Sequence, residues 1–204
     1  MLIVSRSFVC AGRKENITKP IHFSTWSPIT RGFIRPNCTI MEAVRATCAT
    51  PKIFQDVPIL EEANIEPIGY TGADLRWNNP VLHVWEEAKA EFTSLNISHM
   101  VSIGTGATGI IAHGPDYSKT LETIARDCET TYEEAAQMLR QEAPKVKFLR
   151  LNVEQGLQDM SWKEWEKFGV IKVHTEAYLQ EHEVDKKLEN LVTHVCEFLE
   201  VSML

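Results

Sequence analysis

Short β-prone apolar runs alternate along this chain with stretches of helical periodicity, and that alternation most narrows the folds open to it. An apolar run from Met1 to Ala11 reads as a buried strand. It has no basic lead-in and Arg6 interrupts it, so it does not read as a signal peptide. Residues 12–38, with Pro20, Pro28 and Pro36, read as irregular. Thr39 with Glu42 three residues on makes a capping box, which predicts a helix over 40–49. Its Ala43, Ala46 and Ala49 suit close packing, and Pro51 ends it. Residues 53–59 and 65–70 read as short strands or extended loop. Asn79 as N-cap and Pro80 at the first helical position open a second helix, with Val81, Trp85, Ala88 and Phe92 on its buried face. Residues 97–103 read as a core strand closed by Gly104. Two helical pieces follow over 118–143, capped at Thr130 or Thr131 and stopped by Pro144. A strand over 145–153 comes next. An amphipathic helix over 174–200 carries Val184, Leu188, Leu191, Val195 and Phe198 on one stripe. The expected fold class is α/β, with a mostly parallel sheet of about four core strands.

The 204 residues suffice for a domain with a sizeable core. No apolar run approaches the roughly 18 residues a membrane span needs. With 21 Lys+Arg against 28 Asp+Glu the chain carries a net charge of −7, which argues against nucleic acid as a partner. The charge is uneven: residues 1–60 hold eight basic and three acidic groups, net +5, and residues 61–204 hold thirteen and twenty-five, net −12. A basic face and solvated acidic helices explain this, as does a membrane-facing or anion-facing surface in the first third. Cys10, Cys38, Cys48, Cys128 and Cys196 are scattered and odd in number, with no C-x-x-C pair. Neither structural zinc nor a disulfide framework is expected; Cys10 and Cys48 read as small core residues. A reducing, cytoplasmic setting fits best.

Several motifs promise chemistry and withhold it. Gly104-Thr105-Gly106-Ala107-Thr108-Gly109 matches G-x-G-x-x-G after a strand, but a dinucleotide site needs a helix opening inside that loop. Gly114-Pro115 breaks any such helix, so no cofactor is expected and the glycines read as a tight strand exit. The seven histidines show no H-E-x-x-H spacing. His174 and His182 fall eight apart on the helix predicted over 174–200, which also carries His194, and no metal site is expected. None of the ten serines sits in G-x-S-x-G.

Four blocks, in order, do carry a resemblance. Ile40-Met41-Glu42-Ala43-Val44-Arg45-Ala46-Thr47-Cys48-Ala49-Thr50-Pro51 resembles the "WEAARATSAAP" block of patatin-like phospholipases. Tyr70-Thr71-Gly72-Ala73-Asp74-Leu75-Arg76-Trp77-Asn78-Asn79-Pro80 resembles their "DGGLGYNNP" block, and Val101-Ser102-Ile103-Gly104-Thr105-Gly106 their "SIGTG" strand. In fungal members, Arg150-Leu151-Asn152-Val153-Glu154-Gln155-Gly156-Leu157 and the Trp162-to-Trp165 segment also have counterparts. The resemblance implies a three-layer lipid acyl hydrolase fold that cleaves esters with a Ser–Asp dyad. A glycine-rich loop there supplies oxyanion amides, and the aspartate opening the D-G-G/A block is the base toward serine.

The departures from that pattern set the functional expectation. The oxyanion loop and nucleophile elbow belong to the family's earlier blocks, so the chain is expected to be the C-terminal portion of such a hydrolase. Residues 1–95 are then the later part of the patatin-like domain, and 96–204 its α/β and helical continuation. Ungapped alignment on Asn78-Asn79-Pro80 puts Gly72 where the family has its aspartate. The nearest carboxylate is Asp74, and in an extended strand a two-residue shift moves it about 6–7 Å. Asp74 is the candidate catalytic residue, against a plainer role as a carboxylate holding the turn. The expected partners are a lipid or membrane surface and, at an exposed sheet edge, the missing N-terminal half or another protein. The chain is expected to be inactive alone, with a non-catalytic lipid-surface or protein-interaction module as the alternative.

Overall fold

A computed structural model of the chain describes residues 6–26, 38–51, 53–61, 64–74, 77–92, 97–107, 109, 111–158, 160 and 164–202. It divides into two compact units, one of Val4–Asn96 with Gly114–Thr131, the other of Ile97–His113 with Tyr132–Leu204. Residues 1–5 of the expected first strand, Pro28, Pro36, Leu75, Arg76 and Trp162 lie outside the described residues, as does the side chain of Phe198.

The N-terminal unit is built on a four-stranded sheet in the order β2-β1-β4-β3. Its strands are β1 (Phe8–Arg13), β2 (Asn16–Ser24), β3 (Val57–Ile59) and β4 (Ile68–Gly72). Every pair in it is antiparallel. A mostly parallel sheet is therefore not what forms here, and the connections give the reason. Arg13 pairs with Asn16 across a two-residue turn, and a turn that tight joins only antiparallel strands. β2 falls in the stretch read as irregular because Pro20 lies within it. Proline is tolerated on an edge strand, where a missing N–H costs no ladder bond, and β2 is one of the two edges. Ile21 and Phe23 alternate inward while His22 and Ser24 face the other side.

Helix α1 (Ile40–Thr47) starts where the sequence says it should. The Thr39 hydroxyl accepts from the Glu42 N–H at 3.2 Å and the Glu42 carboxylate accepts from the Thr39 N–H at 2.7 Å. The helix stops at its C-cap Cys48, three residues before Pro51. Ala46 and Ala49 are fully buried and join Ala11, Ile21, Phe23, Val57, Ile59 and Tyr70 in one core. The small side chains let α1 approach the sheet closely. Cys10 is buried as expected, with Ala73 and Trp77; Cys48 is exposed, because a C-cap faces outward here.

Helix α2 (Val81–Glu91) buries Val81 and Trp85. Its N-cap is Pro80 rather than Asn79, and no side chain caps it. The Asn79 amide instead donates to the Cys128 carbonyl at 3.0 Å. Helix α3 (Tyr117–Ala125) completes the unit, and Asp127, not Thr130 or Thr131, starts the next helix. Its carboxylate accepts from the backbone N–H groups of Glu129 and Thr130, and both threonines lie inside the helix that begins at Glu129.

The C-terminal unit holds a parallel pair, β5 (His99–Ile103) and β6 (Lys147–Leu151), with His99 opposite Lys147 and Ile103 opposite Leu151. This pairing has the helical crossover parallel strands require, including α4 (Glu129–Glu142). β5 is half core: Met100 and Ser102 are buried, but Val101 is 41% and Ile103 77% exposed. Helices α5 (Phe168–Leu179) and α6 (His182–Ser202) replace the single helix expected over 174–200. Tyr178 and Val184 both enter the core with Val153 and Leu157. Six residues apart on a continuous helix they would point roughly 120° from each other, and the break between α5 and α6 lets both reach the same core. His174 and His182 consequently sit on different helices.

Candidate functional site

The turn after β4 carries the expected site. Gly72 pairs with Ala11 across the sheet, and its N–H donates to the Ala49 carbonyl at 2.9 Å, just beyond the end of α1. The Thr71 hydroxyl donates to the same carbonyl at 3.1 Å, and the Thr47 hydroxyl donates to the Cys10 carbonyl at 2.6 Å. These bonds draw β4, β1 and the end of α1 together. A Cβ on Gly72 would meet both the Ala49 carbonyl carbon and the Thr47 oxygen at 3.1 Å. Backbone surrounds that position, so a longer side chain would have to displace α1 or the strand.

Asp74 does not continue in an extended line. The chain bends at Ala73 and turns at Asp74, bringing Asp74 Oδ1 to 3.2 Å from the point where a Gly72 Cβ would lie. The two-residue displacement is thus largely closed by the turn. The other carboxylate oxygen, Oδ2, accepts from Arg126 Nη2 at 3.0 Å. Arg126 caps the C-terminus of α3 and also faces Glu122 at 3.1 Å. The Asn78 amide donates to the Arg126 carbonyl at 2.6 Å, fastening the Asn78-Asn79-Pro80 block to the same corner. Asp74 Oδ1 is buried without a hydrogen bond from the described residues. No serine, threonine or histidine among the described residues hydrogen-bonds to Asp74, so the base-to-nucleophile contact of a dyad is not formed by them. Arg126 is the residue that sequence reasoning missed: it lies 52 positions away, in an acidic segment with no motif around it.

No protein-family model matches this chain, and no characterised protein does.

Three amides of the glycine loop after β5 are spent on internal bonds. The N–H groups of Gly104 and Ala107 donate to the carbonyls of Leu151 and Val153, and the Gly106 N–H donates to Asn152 Oδ1 at 2.7 Å. Gly106, at φ 120°, takes a conformation that favours glycine. Those three amides face protein, leaving them no lone pair of a pyrophosphate to bind. Among the described residues no helix opens until α3 at Tyr117.

Two further polar clusters were invisible in sequence. Glu61, 1% exposed, accepts three hydrogen bonds from Arg13, one from the Asn64 amide and one from the Tyr70 hydroxyl. Burial and the Glu61 carboxylate push the Tyr70 phenol well above its ordinary range. For Arg13, burial works against the charge, but the Glu61 and Tyr70 bonds outweigh it and raise the guanidinium further. Every partner is matched, so this cluster ties β1 to β4 and offers no free group for chemistry. On the opposite side of the sheet His22 faces Glu87 at 3.2 Å, and its ring meets that of His83 at 5.1 Å. Burial, with His22 adding, holds His83 below its ordinary value. Among the described residues no group of three His, Cys, Asp or Glu side chains is placed to hold a metal ion.

Proposed function

We propose that this chain corresponds to the later blocks of a patatin-like lipid acyl hydrolase, and that its own residues do not hydrolyse esters. The observation that carries this reading is the fate of the base. The aspartate position is Gly72, hemmed in by the backbone of Thr47 and Ala49, and the substitute carboxylate of Asp74 is held by Arg126 at 3.0 Å. Asp74 then acts as a turn-holding carboxylate that anchors α3 to the end of β4. The four ordered sequence blocks support the family, and the five free thiols support a cytoplasmic setting. Assayed with a short-chain nitrophenyl ester, the chain is expected to show no turnover above the uncatalysed rate. Turnover that Asp74→Ala abolishes would overturn the reading.

One observation favours a membrane-surface role for this non-catalytic module. Ile40, Met41 and Val44 on α1 are 81%, 72% and 49% exposed, and Arg45 follows them. An apolar helix face of this kind suits shallow burial in a lipid interface. Sedimentation with phosphatidylserine-containing vesicles is expected to carry the protein down, and Met41→Glu with Val44→Glu to leave it in the supernatant. Equal sedimentation of both proteins would remove α1 from the account. No helix among the described residues is long and apolar enough to cross a membrane.

A further inference from the structure

We infer that the junction of β5, β6 and α6 is a proton-operated latch, in which α6 is held against the parallel strands while two imidazoles stay neutral beside one ammonium. Lys147 Nζ, on the first residue of β6, lies 2.6 Å from His194 Nε2 on α6. His194 Nδ1 lies 2.6 Å from the Asn190 carbonyl, one helical turn earlier. An ammonium can only donate, so Nε2 accepts from Lys147 and the ring proton sits on Nδ1, donated to Asn190. That arrangement exists only for the neutral ring.

His99, opposite Lys147 in the parallel ladder, completes the cluster. Its ring lies 5.5 Å from that of His194, and its Nδ1 faces the Ser98 hydroxyl at 3.0 Å. Among the described residues the groups facing His194 are His99 from β5 and Lys147 from β6, with Asn190 on α6 itself. Among the described residues no carboxylate pairs with any of the three basic groups. A proton on His194 Nε2 would remove the acceptor that Lys147 donates to, and a proton on His99 would add positive charge near that ammonium. Burial holds His99 below its ordinary value of 6.5, and Lys147 and His194 lower it further. An imidazole depressed in the folded state gives its full stabilisation above 6.5, and that stabilisation is lost as pH falls toward its folded value. The latch is closed at neutral pH and loosens on mild acidification.

Hydrogen exchange of the full chain, corrected for the intrinsic pH dependence of exchange, tests this. Protection of the α6 amides is expected to fall severalfold between about pH 7.5 and 5.5. In His99→Gln with His194→Gln, whose amides still hydrogen-bond but do not titrate, the fall is expected to vanish. Lys147→Met, which keeps both rings and removes the ammonium, is expected to shrink it. His83 in the other unit also loses stability on acidification, so the α6 amides are compared with those of α2. An unchanged fall in the Gln variant, or in Lys147→Met if the Gln variant does not fold, overturns the latch. So does a wild-type α6 whose protection does not change with pH.

Discussion

Replacing Glu61 with alanine is expected to destabilise the N-terminal unit by about 3 kcal/mol, the lower end of what breaking a buried ion pair costs. The carboxylate is 1% exposed and receives hydrogen bonds from Arg13 Nε at 3.1 Å and Arg13 Nη2 at 2.7 and 2.9 Å. Removing it strands the guanidinium, the Tyr70 hydroxyl and the Asn64 amide together. The Arg13 side chain retains 34% exposure, so water recovers part of the loss, which is why the lower end applies. Tyr70→Phe removes a single bond and is expected to cost about 1 kcal/mol. Urea dependence of amide exchange in β1 and β4 reads both changes. If Glu61→Ala cost less than Tyr70→Phe, the carboxylate would not be the centre of the cluster.

In the C-terminal unit a large effect is expected from a single added carbon at Gly104. Gly104→Ala should cost about 2 kcal/mol, as overpacking of a well-filled site does. The new Cβ would run into the Asn152 side-chain amide and come within 2.7 Å of Arg150 Nη2. Asn152 cannot step aside cheaply. It is 6% exposed, its Oδ1 holds the Gly106 N–H, and its own N–H donates to the Tyr178 hydroxyl at 3.2 Å. Gly169→Ala in the same unit meets nothing within 4 Å. On helix α5 it should raise stability by up to about 1 kcal/mol, because alanine is the better helix former. Opposite signs for these two substitutions in thermal unfolding are the expected result; a neutral Gly104→Ala would mean that Asn152 does not brace the loop.

The two substitutions also mark how far reading along the chain can reach. The glycine loop was legible as a strand exit because glycine at a φ of 120° is a local requirement. The residue that makes Gly104 irreplaceable, Asn152, lies on the connection after β6 and is brought there by parallel pairing. Glu61 carried no signal of its burial, since Arg13 and Tyr70 stand on other strands and only Asn64 lies near it in sequence. The same holds at the turn after β4. Asp74 was picked out by its neighbours in sequence, but extended geometry placed it wrongly, because a bend at Ala73 folds the carboxylate back beside Gly72.

By itself the sequence determined the elements whose signals are contained within a turn or two. The Thr39–Glu42 box starts α1, and the alanines of that helix allow its close seat. Only the tertiary structure decided how the strands pair, and it made the larger sheet antiparallel with Pro20 on its edge. It also split the last helix so that Tyr178 and Val184 share one core, and it handed Asp74 to Arg126. The physical reason is range. Caps and amphipathic stripes are satisfied by residues three or four apart, whereas ladders, buried charges and close backbone approaches depend on partners that loop closure brings together from tens of residues away.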